Sequence, residues 1–286
     1  MTLTIARRLP MKERASTTLS VGPYEIHTFL DGLFTDSIDQ LIHDSGTATR
    51  QRAIDAWGKP DFTIDVNCFG LHGPDGLILI DAGTGPAWGP HLGHAESAMR
   101  AAGFAREQVS TVLLTHIHGD HALGLFDGLV PRYPNADILI PRAELDWFGD
   151  AARKDAAPKN KRSGFLTVDR LREAYGVQLR PIDVGPVLAG IDAIALPGHT
   201  PGHTGYLVHD DRRAVLFWAD VVHLAELQLA DPDLGFDFDM DADAALRSRR
   251  HALESAAREG WYVAGSHVHG IKRVTRNADG YAFIEE

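Results

Sequence analysis

The chain has 286 residues, of which 44% are hydrophobic, and it carries a formal net charge of −11. This composition is ordinary for a folded globular protein and excludes a disordered chain. The negative charge repels nucleic-acid phosphates and anionic membrane surfaces, so we expect neither as a partner. The length suits a single domain spanning residues 1–286.

Three features of the sequence favour a cytoplasmic protein. The single cysteine, Cys68, cannot form an intrachain disulfide, and we interpret it as a small buried side chain. No apolar run approaches the roughly 18 residues that a membrane helix needs. The first residues carry scattered charges instead of the apolar stretch of a signal peptide. We interpret residues 1–20 as an N-terminal arm.

The first half of the chain is predicted to alternate between strands and helices. A first strand, Tyr24–Leu30, is expected to end at Asp31-Gly32. Residues 31–62 are expected to be irregular apart from a helix near Gln51–Trp57, and to form a cap or a substrate loop. Apolar runs and turn signals then predict strands Phe62–Leu71, Leu77–Ile80, Val109–Leu114 and Ala136–Ile140, and helices Ala95–Ala102 and Arg142–Phe148.

The second half of the chain has the same character. It is predicted to contain helices Val168–Tyr175 and Ala242–Glu259, strands Gln178–Pro181, Ile191–Leu196, Thr204–Val208 and Ala214–Trp218, and a last core strand, Trp261–Ala264. Groups of strands separated by long helices indicate sheet layers covered by helices in an α+β fold. Each half has an apolar strand that stops on an aspartate, Leu77–Asp81 and Val215–Asp220, which is a weak hint of duplication.

A dense cluster of histidines directly follows the strand Val109–Leu114, in the sequence THIHGDH at 115–121. Three imidazoles and a carboxylate so close together are costly to bury unless a metal ion compensates them. Alternate side chains of an extended segment share one side, so His116 and His118 can bind one ion. Asp120 and His121 are adjacent, so they diverge from that pair and can reach a second ion.

Further ligand candidates follow three later strands. PGHTPGHT at 197–204 follows Ile191–Leu196, Asp220 ends the strand Ala214–Trp218, and GSHVHG at 265–270 follows Trp261–Ala264. Ligands delivered from strand ends at one edge of a sheet make a rigid site. The residues alone leave two choices open, between His199 and His203 and between His267 and His269.

The chain thus carries, in this order, HxHxDH at 116–121, GHTPGH at 198–203, Asp220 and GSH at 265–267. With this order of motifs, the chain from Asp81 onward resembles the metallo-β-lactamase superfamily. The resemblance implies an αβ/βα sandwich of two facing mixed β-sheets flanked by helices, with the metals at one edge. Asp81 would orient ligands, and His203 and His269 would support the site or line its pocket. The ligand set that the resemblance implies is His116, His118 and His199 on the first metal, Asp120, His121 and His267 on the second, and Asp220 bridging both.

A site of histidines and carboxylates suits two divalent ions, with zinc as our first choice and manganese, iron or cobalt as alternatives. Two such ions share a hydroxide that attacks a carbonyl or phosphoryl centre, and Asp120 would orient it or carry its proton. His223 stands where lactonase-type relatives often have a tyrosine. The resemblance implies that it stabilises the oxyanion or protonates the leaving oxygen; the alternative is a buried histidine satisfied by the backbone.

Segments 81–124 and 219–234 resemble the branch that holds methyl parathion hydrolases, lactonases and arylesterases. We therefore expect a hydrolase acting on a small-molecule ester or lactone, of the acyl-homoserine lactone or aryl ester type, with phosphotriester cleavage as a side activity. The alternatives are a dedicated phosphotriester hydrolase, a β-lactamase, a thioesterase, a mononuclear iron sulfur dioxygenase on the same fold, or a sensor with a vestigial site. A homodimer is left open. Candidate pocket aromatics are Phe34, Phe69, Trp147 and Phe148, with core packing as the alternative.

Overall fold

The computed structural model describes residues 19–278 and 280–284. Residues 1–18 of the expected N-terminal arm lie outside this part, and Leu19 and Ser20 already belong to the first strand. Within the described part, no helix combines the length and the apolar character that a membrane crossing requires.

The strands of the described residues, in chain order, are β1 (Leu19–Val21), β2 (Tyr24–Ser37), β3 (Leu41–His43), β4 (Asp61–Gly73), β5 (Gly76–Ile80), β6 (Val109–Leu113), β7 (Phe126–Asp127), β8 (Val130–Pro131), β9 (Asp137–Pro141), β10 (Leu179–Ile182), β11 (Gly185–Leu188), β12 (Ile191–Ala195), β13 (Thr204–His209), β14 (Ala214–Ala219), β15 (Leu234–Phe236), β16 (Tyr262–Gly265), β17 (Lys272–Arg276) and β18 (Tyr281–Ile284). The α-helices are α1 (Thr47–Trp57), α2 (Ala95–Ala101), α3 (Gly119–Ala122), α4 (Arg142–Phe148), α5 (Ala151–Ala156), α6 (Ser163–Tyr175), α7 (Ala225–Gln228) and α8 (Ala242–Glu259).

Most strands belong to two mixed sheets. The first has the order β1-β2-β4-β5-β6-β9-β10, and the second has the order β11-β12-β13-β14-β16-β17-β18. In the first sheet β5 and β6 are parallel, and in the second β14 and β16 are parallel. Strand β12 runs in the same direction as β14, because each pairs antiparallel with β13. The carboxyl ends of these strands therefore meet at one edge of each sheet.

The two sheets face each other across a shared apolar layer. Phe69 of the first sheet meets Phe217 of the second, with 5.0 Å between ring centroids. Helices α2 and α6 pack on the outer face of the first sheet, and α8 packs on the outer face of the second. These layers confirm the expected α+β fold, an αβ/βα sandwich.

Strand β5 shows why the apolar runs of this sequence form central strands. Leu77 and Leu79 pack on the helix side of the sheet, whereas Ile78 and Ile80 pack against the other sheet. Successive side chains of a strand point to opposite faces, so a strand covered on both faces must be apolar at every position.

Most predicted elements are confirmed within a few residues, but the first strand is longer than expected. Asp31-Gly32 does not end it, because the register with β4 shifts there in a β-bulge and β2 continues to Ser37. Residues 31–62 are therefore not irregular: they contain the end of β2, then β3, α1 and the start of β4.

Several elements at the periphery of the fold are not predicted by the sequence pattern. Strands β17 and β18 extend the second sheet beyond the expected last core strand, and β11 and α5 are likewise not predicted. In β17 only Val274 is buried, and β18 is half-buried throughout. Such strands at a sheet edge carry too few apolar residues to show a pattern.

Asp31 explains why the bulge matters for the fold. Its buried carboxylate accepts hydrogen bonds from the N–H and hydroxyl groups of Thr84 and from the N–H groups of Gly93 and Ala95. These bonds attach loop 82–95 to β2. Hydrogen bonds to a carboxylate are stronger than those between neutral groups, so these four bonds hold the loop in place.

We expect Asp31→Ala to lower the free energy of unfolding by about 3 kcal/mol, because buried donors lose their acceptor. Urea denaturation measures this loss, with Asp75→Ala in the exposed β4–β5 turn as the control. Equal stability of the two variants would contradict the role of Asp31.

Candidate metal centre

Segments that follow five strands deliver polar side chains to one edge of the sandwich. Asp81 follows β5, loop 115–121 follows β6, loop 197–203 follows β12, Asp220 follows β14 and His267 follows β16. Two of these strand ends have unusual backbone conformations, since Asp81 has a φ of 60° and Ala219 a φ of 48°. A non-glycine residue there costs on the order of 1 kcal/mol or more, so the surrounding structure must hold both ends in place.

Among the described residues, candidate ligands form four overlapping groups at this edge, and within each group the ligand atoms all lie within 4.8 Å of one another. Two of them place His203 or His223 beside Asp220: His116, His203 and Asp220 form one, and His199, Asp220 and His223 form the other. We name the remaining two the first group, which is His116, His118 and His199, and the second group, which is Asp120, His121, Asp220 and His267. The structure thus brings together every residue that the sequence nominated as a metal ligand.

Asp220 lies between the two groups. Its Oδ2 is 3.1 Å from Nε2 of His199, and its Oδ1 is 3.2 Å from Nε2 of His121. The same Oδ2 is 3.1 Å from Nε2 of His267. A carboxylate that contacts both groups has the placement that a bridging ligand requires.

Four of the candidate imidazoles are fixed through Nδ1, which donates a hydrogen bond of 2.8 to 3.0 Å to an oxygen of the protein. The acceptors are Thr115 for His116, Asp81 for His121, Asp239 for His199, and the carbonyl of Asp65 for His267. In the neutral form of this tautomer, the lone pair that a metal would bind is on Nε2. Among the described residues, buried Nε2 atoms of His116 and His121 have no hydrogen-bond partner, so the donor set fits metal ions.

Asp81 holds the start of the histidine loop as well as a ligand. It accepts hydrogen bonds from the N–H and the hydroxyl of Thr115, at 2.9 and 2.8 Å, in addition to that from His121. This agrees with the expectation that Asp81 orients ligands.

The structure separates the alternatives that the histidine-rich loops leave open. His203 donates from Nδ1 to the carbonyl of Leu196 at 2.8 Å, and its Nε2 accepts the backbone N–H of Asp220 at 3.2 Å. Both of its nitrogens therefore bond to backbone groups, whereas Nε2 of His199 meets the other candidate ligands His118 and Asp220, at 2.8 and 3.1 Å. His269 lies at the rim, with Nδ1 3.2 Å from Oδ2 of Asp65, and belongs to neither group.

His223 lies beside Asp220, at 3.4 Å from Nε2 to Oδ2, and its ring stacks on His267 with 5.0 Å between centroids. Burial lowers the pKa of His223 to about 4, so the ring is neutral. Its Nδ1 has no hydrogen-bond partner among the described residues. Among the described residues no backbone group bonds to this nitrogen, and the functional role of His223 stays a prediction.

The buried charges of the centre depend on one another. Burial acts to raise the pKa of Asp220, but His121, His267 and His199 outweigh it and hold that pKa well below its usual range. Burial acts to lower the pKa of His199, whereas Asp220 and Asp239 raise it to about 9. The carboxylate of Asp220 is therefore ionised and favours a cation.

Sequence reasoning missed two buried acids near the centre. Asp239 accepts the hydrogen bond from His199 and lies 3.6 Å from the buried guanidinium of Arg249. Glu144, in α4, contacts the loops on both sides of the first group. Each is a single acid in an ordinary helix or loop, and no spacing pattern marks it.

The sandwich and the paired ligand groups define a class of proteins that hold metal ions at the edge of two facing sheets. The family model described as the metallo-beta-lactamase superfamily matches residues 63–267. The chain belongs to this superfamily.

Similar proteins include enzymes with named activities. N-acyl homoserine lactonase AttM of Agrobacterium fabrum is 30% identical over 176 residues, which cover 52% of this chain and 61% of AttM. The chain matches less than two thirds of the length of its curated relatives.

Two solved structures share the fold over nearly the whole chain. Hydrolase AbOPH of the beta lactamase superfamily has a TM-score of 0.84 and 26% identity, covering 95% of this chain and 97% of its own. AidC, a dizinc quorum-quenching lactonase in complex with a product, has a TM-score of 0.82 and 23% identity, with the same coverage.

The different surroundings of His199 and His203 predict different effects of mutation. We expect His199→Ala to weaken binding of one metal ion by more than about a hundredfold, since a ligand atom is lost. His203→Ala should keep the metal content under saturating metal and lower stability instead, because two buried hydrogen bonds are lost. Elemental analysis and chelator competition measure the first effect, and urea denaturation the second. Equal loss of metal in both variants would contradict the assignment.

Proposed function

We propose that the chain is a metal-dependent hydrolase that opens an ester or lactone bond in a small molecule, of the acyl-homoserine lactone or aryl ester type. The main support is the pair of ligand groups joined by Asp220 at the strand ends. Zinc is the first choice of metal, with manganese, iron and cobalt as alternatives. The proposed ligands are His116, His118 and His199 for one ion, Asp120, His121 and His267 for the other, and Asp220 for both.

Divalent ions bound in this way lower the pKa of a bound water and polarise the substrate carbonyl. Asp120 would orient this water or carry its proton, because its side chain is the most solvent-accessible of the acidic ligands, at 13% against 3% for Asp220. Its Oδ2 is held 3.5 Å from Nε2 of His121 and 3.6 Å from Nε2 of His267. Burial acts to raise the pKa of Asp120, but these histidines lower it, so the carboxylate is ionised and can accept a hydrogen bond from the water.

His223 donates a hydrogen bond to the substrate oxygen that gains negative charge. A neutral imidazole carries one N–H, and Nδ1 of His223, which has no hydrogen-bond partner among the described residues, is the nitrogen that can direct it to the substrate. A donor that is preorganised in a buried site stabilises developing charge without reorganising in the reaction.

We expect His223→Ala to lower kcat about a hundredfold with the metal content unchanged, since a donor to the transition state is lost and no proposed ligand is removed. His223→Gln, which keeps an N–H donor, should recover part of the loss. Steady-state kinetics and elemental analysis on the same samples measure both. Unchanged turnover in His223→Ala would exclude this role.

Aromatic side chains lie near the ligand groups, and they favour an apolar substrate. The Trp88 ring lies over Gly119, where an added Cβ would be 2.7 Å from Cζ2, and Phe34 lies 5.9 Å from Trp88. On the other side Phe238 is 5.6 Å from His223. Trp88 is 42% exposed, so its ring is available to a substrate.

The remaining candidate aromatics have other roles. Phe69 and Phe148 are core residues, and Trp147 packs against the core. Phe34 belongs to segment 31–62, which supports the proposal that this segment shapes the substrate pocket. An uncharged ester or lactone also suits an acidic chain better than a polyanion does.

The second ligand group argues against a mononuclear iron dioxygenase. With a single ion in the first group, Asp120, His121 and His267 would form a buried polar cluster with no ion of their own. About two ions per chain in protein purified without added metal would support the hydrolase, and about one iron would support the dioxygenase.

A substrate panel tests the reaction itself. We expect metal-loaded protein to hydrolyse acyl-homoserine lactones or aryl esters, and a chelator to abolish the activity until zinc is restored. Organophosphate triesters, thioesters and β-lactams, assayed alongside, test the alternative hydrolases. Absence of activity on lactones, aryl esters and phosphotriesters alike would overturn the proposal.

A further inference from the structure

A buried glutamate joins the two loops that carry the first ligand group. Glu144 lies in α4, and its side chain is fully buried. Its Oε1 accepts the N–H of Ile117 at 3.2 Å, and its Oε2 accepts the hydroxyl of Thr200 and the N–H of Gly202, both at 2.9 Å. Ile117 lies between His116 and His118 in the sequence, and Thr200 directly follows His199. Every donor therefore belongs to a loop of the first group.

Loop 197–203 approaches α4 closely at Gly202, and this approach explains why a glycine stands there although metal ligation does not require one. A Cβ added to Gly202 would overlap the backbone nitrogen of Glu144. Only glycine leaves room for the loop to reach the carboxylate. The second glycine of GHTPGH thus serves the contact with Glu144.

The supports of the two ligand groups differ. Asp81 bonds to His121 of the second group and to Thr115, which in turn accepts the hydrogen bond from His116 of the first group. Glu144 bonds only to backbone and hydroxyl groups next to the first group. A buried carboxylate is costly unless charge-assisted hydrogen bonds compensate it. The hydrogen bonds to the carboxylate of Glu144 come from loop 115–121 and loop 197–203, so they join these two loops.

We propose that Glu144 is a positioning residue that fixes the distance between the His116–His118 loop and the His199 loop, and so sets the metal affinity of the first group alone. The carboxylate acts through the backbone of these loops and contacts no candidate ligand side chain directly. This proposal rests on the metal sites of the proposed function, but it does not depend on which bond the protein hydrolyses.

The first experiment compares zinc affinity in the wild type and Glu144→Gln by chelator competition. The amide has the size of the carboxylate, but it offers one acceptor atom where the structure uses two. We expect one of the two zinc ions to bind about 10- to 100-fold more weakly and the other to be unaffected. Asp183→Asn, which removes an exposed acid bonded to Arg142 of the same helix, is the matched control and should change neither affinity.

Double-mutant cycles identify which ion is affected. In a His118→Ala background, Glu144→Gln should not weaken zinc binding further, because the first group is already broken. In a His267→Ala background, it should weaken zinc binding as much as it does in the wild type. Thr200→Val removes only one donor to Glu144, so it should weaken binding of the same zinc ion by a smaller factor than Glu144→Gln. If Glu144→Gln does not fold, Thr200→Val replaces it in the test.

The outcomes separate this proposal from the proposed function. Equal weakening of both ions, full additivity with His118→Ala, or unchanged zinc affinity in Glu144→Gln and Thr200→Val would overturn the role of Glu144. Because zinc affinity is measured without substrate, failure to hydrolyse any ester or lactone would contradict the proposed function and leave this result intact.

Discussion

The buried carboxylate of Asp220 is the group on which the arrangement of the centre depends. A carboxylate this deep in the protein is costly unless cationic or hydrogen-bonding partners surround it. Its oxygens meet imidazoles from both ligand groups, and its N–H is held by His203. The backbone enforces this position, because β14 shifts register against β16 and Ala219 adopts a φ of 48° just before it. The fold therefore keeps both the charge and its compensating partners at one point.

The two sheets use the same construction to reach this point. In each sheet an apolar strand ends in a residue with positive φ, at Asp81 after β5 and at Ala219 in β14. In each sheet the neighbouring parallel strand carries histidines just beyond its end. The two aspartates make different contacts. Asp81 accepts the hydrogen bond from Nδ1 of His121, whereas Asp220 lies between the two ligand groups. Strain at both strand ends is consistent with an edge shaped for binding and not for stability.

The candidate ligand residues could be nominated because metal chemistry restricts residue type and spacing along the chain, although the residues alone left open the choices between His199 and His203 and between His267 and His269. Strand β5 could be predicted because two covered faces demand a continuous apolar run. Glu144 and Asp239 could not, since a supporting hydrogen bond needs only one acceptor, which any nearby element can supply. The bulge at Asp31 could not be predicted either, because an Asp-Gly pair is typical of both a turn and a bulge. Only the register with β4 distinguishes the two.

The candidate ligands and the proposed pocket walls come from different parts of the fold. The candidate ligands follow core strands, whereas the aromatic side chains of the proposed walls lie in connections: Phe34 in the extension of β2, Trp88 in the loop fixed by Asp31, and Phe238 before α8. Phe34 and Phe238 both pack on one satellite cluster, so these connections support each other apart from the main core. A change in this cluster can reshape the walls without moving the strand ends. We therefore expect the choice of substrate to depend on these connections, while the metal-binding loops that identify the superfamily determine only the chemistry.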